Sequence, residues 1–315
     1  MRVFVFIVMI STVFSCADSL RKEVEEVTTE IDLGKKLFFD PILSQDRSIS
    51  CESCHKPEFA FADNRSFSRG VNDSLGKRNT PSVMNMASRS HFFYDGRASS
   101  LEEQAKGPIE NPIEMNLSID SAVHRLQHSE VYRLLFDKIF KEEPTKDNLA
   151  SALASFQRSL ESDGSASHDL WINDIEPMAL STSQQRGREL FLGKAKCFDC
   201  HFGPDFTGDE FRNIGLYDER EYKDKGRFDF TKDTADLGKF KVPGLRNVAL
   251  TAPYMHDGSI KTLEEVIDFY SDLYIFVPNP INLDTIMREP LKLSATEKED
   301  LVNFLHSLTD EKLPY

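Results

Sequence analysis

Cys51-Glu52-Ser53-Cys54-His55 and Cys197-Phe198-Asp199-Cys200-His201 decide the fold, because each is a C-x-x-C-H, the pattern of covalent c-type haem attachment. Two thiols three positions apart can form thioethers to the two vinyl groups of one porphyrin, and the histidine that follows reaches the iron as proximal ligand. Cys51, Cys54 and His55 would hold one haem c, and Cys197, Cys200 and His201 a second. A thioredoxin-like pair would use one C-x-x-C and give the trailing histidines no role. A four-cysteine zinc site would keep its two halves close, whereas most of a domain separates Cys54 from Cys197.

The fifth cysteine, Cys16, ends a different kind of segment. Met1-Arg2, the apolar run Val3 to Phe14 and then Ser15-Cys16-Ala17-Asp18 have the basic start and short apolar stretch of an export signal. Val13-Phe14-Ser15-Cys16 resembles a bacterial lipobox, which makes residues 1–16 a lipoprotein-type signal and Cys16 the acylated anchor. An ordinary secretory signal with an incidental cysteine is the alternative; either way the expected location is the periplasm or cell envelope. Residues 17–29 are charged and read as a tether. A formal charge of −14 and a pI near 5.1 argue against nucleic acid and for an acidic surface, one suited to a basic redox partner.

An internal repeat surrounds the two motifs. Leu33-Gly34-Lys35-Lys36-Leu37-Phe38-Phe39 precedes the first, and Arg186-Gly187-Arg188-Glu189-Leu190-Phe191-Leu192 the second. Downstream, Tyr94 to Glu103 lines up with His256 to Glu265. Both copies open a helix through a capping box, Ser100 with Glu103 and Thr262 with Glu265, and further boxes at Ser181/Gln184 and Ser294/Glu297 start two more helices. Alternating strand segments are scarce. The expectation is an all-α protein of two tandem cytochrome c-like domains, 30–165 and 166–315, with the boundary near Ser162 to Ser167 and the last helix packing back on the N-terminal domain.

The gap-free register from Asp95/Asp257 makes each half a control for the other. Tyr270 faces Pro108, and tyrosine can ligate iron where proline cannot. Gln104 faces Val266, and Glu114 faces Phe276. Polar groups therefore gather in the first half, as one catalytic haem and one relay haem would require.

These residues carry a family resemblance over almost the whole mature chain. The sequence resembles the bacterial diheme cytochrome c peroxidases and their relative MauG, through Ser48 to His55, Arg78-Asn79-Thr80-Pro81, Asp95-Gly96-Arg97, Leu101 to Met115, Gly193 to Cys197, and Leu245 to Gly258. The resemblance implies that the N-terminal haem is the peroxidatic one, that Gln104 and Glu114 line its distal face, and that Tyr94 lies between the haems. It also implies a calcium ion held by the side chain of Asn79 and the backbone carbonyls of Thr251 and Pro253, oxygen donors that suit calcium.

Three positions depart from the peroxidase pattern. Many such enzymes carry a histidine in the loop before Arg-Asn-x-Pro that blocks the N-terminal iron; the aligned residue here is Val71, and residues 61–79 contain no histidine or methionine. His91 is the nearest other histidine. Tyr270 stands where typical peroxidases have a methionine ligand and MauG a tyrosine, while Met255 abuts His256 and Met287 lies beyond the helix. Tyr94 stands where relatives have tryptophan. His124, His128, His168 and His306 read as solvated. The expected activity is reduction of hydrogen peroxide to water, with Glu114 as general acid/base and Gln104 as orienting group, fed by a small exported cytochrome c or copper protein. The alternatives are a MauG-like oxidase that draws electrons from a partner protein, and a plain diheme electron carrier. A homodimer is a further expectation.

Overall fold

The computed structural model describes residues 21–314, so the signal segment, Cys16 and the first part of the tether lie outside the described residues. The N-terminal half contains α1 (Glu30–Phe39), α2 (Leu101–Glu110), α3 (Ile119–Gln127), α4 (Glu130–Phe140) and α5 (Lys146–Ser159). The C-terminal half contains α6 (Ser167–Ile172), α7 (Thr182–Leu192), the single turn α8 (Phe228–Thr231), α9 (Leu263–Ser271) and α10 (Ala295–His306). The one sheet among the described residues is a two-stranded antiparallel ribbon, β1 (Phe211–Arg212) on β2 (Phe240–Lys241), with Phe211 opposite Lys241. The chain is all-α, as its sequence implies.

The repeat that precedes each C-x-x-C-H is a helix-crossing device. Thr29 and Asp32 cap α1 reciprocally, with Asp32 N–H to Thr29 Oγ1 at 3.1 Å and Thr29 N–H to Asp32 Oδ2 at 2.9 Å. The buried stripe Leu33, Gly34, Leu37 and Phe38 then faces α5. A Cβ on Gly34 would sit 1.9 Å from the Ala152 carbonyl oxygen, so only glycine lets the two backbones cross. In the second half α7 crosses α10 in the same way, and a Cβ on Gly187 would lie 2.0 Å from the Asp300 carbonyl oxygen. Each crossing seats an aromatic pair beneath it, Phe38–Phe156 at 5.1 Å and Phe191–Phe304 at 5.2 Å.

The last helix therefore packs on α7 within its own half, and not on the N-terminal domain as expected. Only the tail beyond it reaches across, where Leu313 packs against the N-terminal core. The tether reading changes as well. Residues 21–26 are helical, Val24 and Val27 are spaced to share one face, and both pack into the N-terminal core, where the Lys138 ammonium donates to the Val24 carbonyl at 2.7 Å.

Two glycines lock the halves together. Gly96 and Gly258 are equivalent in the repeat, and both have positive φ, 69° and 62°, a region closed to most side chains. A Cβ at Gly96 would lie 2.3 Å from Phe211 in the second half, and one at Gly258 2.6 Å from the Cα of Ser66 in the first. Arg78 adds a bidentate bond to Asp224 at 2.7 and 2.8 Å, and Asn79 N–H donates to the His256 carbonyl at 2.7 Å.

Candidate active site

Each C-x-x-C-H folds as a single tight turn. His55 N–H donates to the Cys51 carbonyl at 2.9 Å, and His201 N–H donates to that of Cys197 at 2.9 Å. The turns aim the histidines inward. His55 Nδ1 meets the Phe61 carbonyl at 3.0 Å, and His201 Nδ1 meets that of Phe206 at 2.9 Å. A carbonyl only accepts, so Nδ1 carries the proton and Nε2 keeps the lone pair a metal needs. Burial lowers the pKa of both imidazoles, which keeps them neutral and ready to ligate.

One cavity of about 1050 Å³ joins the two turns and is lined by all six attachment residues, just above the roughly 300–1,000 Å³ of ordinary ligand pockets. The four cysteines are in no disulfide. Burial pushes the thiols of Cys51 and Cys197 up to about 12 and those of Cys54 and Cys200 up to about 11. No cluster of three or more His, Cys, Asp or Glu able to hold a metal occurs among the described residues, so the two cysteine pairs do not meet in a four-cysteine zinc site, and each pair with its histidine faces the cavity as thioether attachment requires. The donor set fits two haem c groups.

The repeat register holds in space. Gln104 and Pro108 on α2, and Val266 and Tyr270 on α9, all line the cavity. Both helices begin alike: Ser100 Oγ accepts from Glu103 N–H at 3.1 Å and Thr262 Oγ1 from Glu265 N–H at 3.2 Å. The Glu103 carboxylate reaches one residue further back than a capping box requires, to Ser99 N–H at 2.8 Å. Glu114 lines the cavity, while its counterpart Phe276 is exposed on the surface.

Two polar groups stand out at the N-terminal end. Gln104 Oε1 is buried with no hydrogen-bond partner, a costly state unless a ligand supplies a donor. Glu114 Oε1 accepts from Asn111 Nδ2 at 2.5 Å. Burial raises the Glu114 pKa, against the opposing pull of Asn111 and Arg97. Arg97 belongs to the Asp95-Gly96-Arg97 motif, which does not by itself give it a role at the site. Its guanidinium lies 3.6 Å from the centre of the Phe93 ring and bonds Asp95 at 2.8 Å. The register could have flagged it, since its counterpart is Ser259. Asn111 is flagged in the same way, since its counterpart is Leu273.

Val71 is fully buried, and its N–H donates to the Glu114 carbonyl at 2.8 Å. The loop is thereby tied to the segment that carries Glu114. Tyr94 is in the cavity wall, edge-on to Phe240 at 6.5 Å, and Phe240 stacks on His256 at 3.8 Å. Tyr270 has its phenol pKa raised by burial and by the Cys200 and Cys197 sulfurs. Met255 and Met287 line the same cavity, because the chain after α9 folds back over it and returns Met287 to the cluster around Tyr270.

Asn79, Thr251 and Pro253 also line that cavity. The Asn79 amide nitrogen donates to the carbonyls of Arg65 at 3.0 Å and Ser66 at 3.4 Å, which leaves its oxygen available. Of the remaining histidines His256 lines the cavity, and the others do not. His91 bonds Ser90 at 3.0 Å and packs edge-on against Phe211, and His124 and His128 are exposed and stacked at 4.0 Å. His168 is a correction: it is buried between Phe206 at 5.3 Å and Phe304 at 5.7 Å, side chains far from it in sequence.

Fold and site together define a two-domain c-type cytochrome with a polar pocket at one end of a shared cavity. Comparison with known proteins narrows that class. Residues 28–176 match the family described as di-haem cytochrome c peroxidase. The chain is 40% identical over 284 residues to the methylamine utilization protein MauG of Methylorubrum extorquens, covering 90% of this chain and 78% of that one. It is 40% identical over 240 residues to the cytochrome c551 peroxidase of Nitrosomonas europaea, covering 75% and 71%. Among solved structures, a MauG-like protein associated with microbial copper homeostasis superposes with a TM-score of 0.81 at 34% identity, covering 90% of this chain and 89% of that one. The chain belongs to the bacterial diheme cytochrome c peroxidase and MauG family, and as a member it is an oxidoreductase with two haem c groups.

Proposed function

We propose that this chain reduces hydrogen peroxide to water at the haem held by His55, using electrons that enter at the haem held by His201. The observation that carries the reading is that the unpartnered Gln104 Oε1 and the buried Glu114 carboxyl line one cavity that reaches both C-x-x-C-H turns, with Glu114 close enough to Cys51 and Cys54 to act on their thiols. When bound, the haems supply redox-active iron that passes two electrons to peroxide. Gln104 Oε1 accepts a hydrogen bond from one peroxide O–H and fixes the substrate's orientation. The Glu114 carboxylate takes a proton from the nearer oxygen and delivers it to the farther one as the O–O bond breaks. Two electrons and two solvent protons complete the conversion of one peroxide to two waters. Asn111 holds the carboxyl in place, and Arg97 limits how far burial raises its pKa.

In this reading Tyr270 ligates the second iron, Tyr94 conducts between the haems, Pro108 leaves the first iron open, and Asn79, Thr251 and Pro253 hold a calcium ion. The protein works in the periplasm or cell envelope, anchored through Cys16. Among the described residues no helix is long and apolar enough to cross a membrane. The test is steady-state peroxide consumption by the holoprotein with a reduced small cytochrome c or copper protein as sole electron source. Sustained turnover is expected; peroxide-independent oxidation of the donor, or none at all, overturns the reading.

A further inference from the structure

The outer face of α3 carries a feature that the haem chemistry does not use. Ile119, Ala122 and Leu126 turn one side of this helix into the N-terminal core. His124 and His128 share an exposed side, four residues apart, the spacing with which a helix presents two histidines to zinc. Their rings stack at 4.0 Å and 28°, and neither lines the cavity. Two merely solvated side chains would gain rotamer freedom by spreading apart, whereas these lie side by side.

The pair is also set up as metal-ligating histidines are. His128 caps the C-terminus of α3, and the His124 carbonyl accepts from its backbone N–H at 3.2 Å and from its Nδ1 at 2.8 Å. A carbonyl only accepts, so Nδ1 carries the proton and Nε2 presents its lone pair to solvent. The same device sets His55 and His201, whose Nδ1 atoms meet the Phe61 and Phe206 carbonyls. Among the described residues no hydrogen bond holds the His124 ring, so it can turn toward a shared ion. An ion about 2.0–2.1 Å from two nitrogens in tetrahedral geometry needs them roughly 3.3 Å apart, and a small rotation of one stacked ring brings that about. Charge favours an ion here. Arg125 is drawn away, its Nη1 donating to the Ile42 and Ser44 carbonyls at 2.6 Å each, and the negative end of the helix dipole lies at His128.

We infer that His124 and His128 form a surface site for one divalent late transition ion, bound through Nε2 of His128 and a ring nitrogen of His124, with water in the remaining positions. Imidazole suits zinc and copper, and between them affinity favours Cu²⁺; calcium and magnesium call for oxygen donors and are not held. With two protein ligands the ion is exchangeable, since closed structural zinc sites use four. The site stands apart from both C-x-x-C-H turns and from Asn79, Thr251 and Pro253, all of which line the cavity, and it does not depend on the peroxidase reading.

The test uses the holoprotein without a histidine tag, kept in Ca²⁺ throughout and titrated with Cu²⁺ alone and with Zn²⁺ alone. Electron paramagnetic resonance should show the first equivalent of Cu²⁺ as a signal separate from the ferric haems and split by two ring nitrogens. Calorimetry should give one site for either ion, and Zn²⁺ should displace the copper signal where the excess of Ca²⁺ does not. His124→Ala and His128→Ala change exposed positions, and their haem spectra check that each is folded. Each should bind Cu²⁺ about tenfold or more weaker and lose the two-nitrogen splitting. His306→Ala, which removes another exposed histidine, should bind as the wild type does. Peroxide consumption without added metal should be the same in all three variants. Equal affinity in the His124 or His128 variant, splitting by a single nitrogen in the wild type, or loss of binding in His306→Ala would each overturn the inference, because the ion would then be bound adventitiously elsewhere.

Discussion

Replacing Glu114 by Gln separates a catalytic carboxyl from a structural one. The amide keeps the size of the side chain and an oxygen for Asn111 Nδ2, now 2.5 Å away, so the pocket should hold its shape. It cannot exchange a proton. A lost general acid/base costs roughly 10²–10⁴-fold, or about 3–5 kcal/mol of barrier at 1.36 kcal/mol per tenfold. Gln104→Ala, by contrast, removes one neutral hydrogen bond to substrate, worth about 0.5–1.5 kcal/mol, and should lower the rate about tenfold. The pH profile adds an independent readout. Burial holds the Glu114 pKa above the ordinary carboxyl range, and the base form is the active one, so the wild-type rate should rise with pH through that elevated value. Glu114→Gln should lose this acid limb. Arg97→Gln removes a nearby cation and should move the limb further up. The stability sign runs the other way, because a carboxyl whose pKa is raised in the folded state holds its proton longer there. Folding stability falls as pH climbs from the unfolded to the folded value, and Glu114→Gln should melt no lower than wild type at neutral pH. The assays are peroxide consumption by the holoprotein across pH 4–8 and thermal melts at pH 7. An unchanged rate, or a slow variant that keeps the same acid limb, would refute the role given to Glu114.

Gly34→Ala and Gly187→Ala should each destabilise the holoprotein by about 1–3 kcal/mol or more, because the added methyl would meet a carbonyl oxygen at 1.9 or 2.0 Å; an unshifted melting curve would disprove the crossings. With Val71 buried and its loop tied to the Glu114 carbonyl, the resting ferric protein should show a high-spin signal in electron paramagnetic resonance and react with peroxide before any reduction. Two low-spin signals, with reactivity only after half-reduction, would contradict that. Chelation of calcium should lower both turnover and melting temperature, and Asn79→Ala should make the protein insensitive to the chelator; an unaffected wild type would exclude the ion. Tyr270→Met should raise the potential of the second haem, since a phenolate favours ferric iron and a thioether ferrous iron. If Tyr270→Phe leaves that haem's spectrum unchanged, Tyr270 is a packing residue and Met287 or Met255 the candidate ligand.

The parts of this molecule legible in its sequence are those where chemistry is local. A C-x-x-C-H must be contiguous to embrace one porphyrin, and a capping box spans four residues, so both stand out without any knowledge of packing. Packing at long range is another matter. His168 reads as a surface residue in sequence because Phe206 and Phe304, which enclose it, lie 38 and 136 positions away. Met287 looked remote from the haem crevice because nothing local announces that the chain folds back over it. The last helix looked free to cross domains until Gly187 paired it with α7. Duplication bridges part of that gap, because two copies of one architecture feel the same packing demands. Where they keep the same residue, as at Gly34/Gly187 and Gly96/Gly258, the backbone geometry accounts for it. Where they differ, folding tolerates either residue, and the choice answers to chemistry or contact. Gln104 against Val266, Pro108 against Tyr270 and Arg97 against Ser259 then separate the peroxide end of the cavity from the relay end.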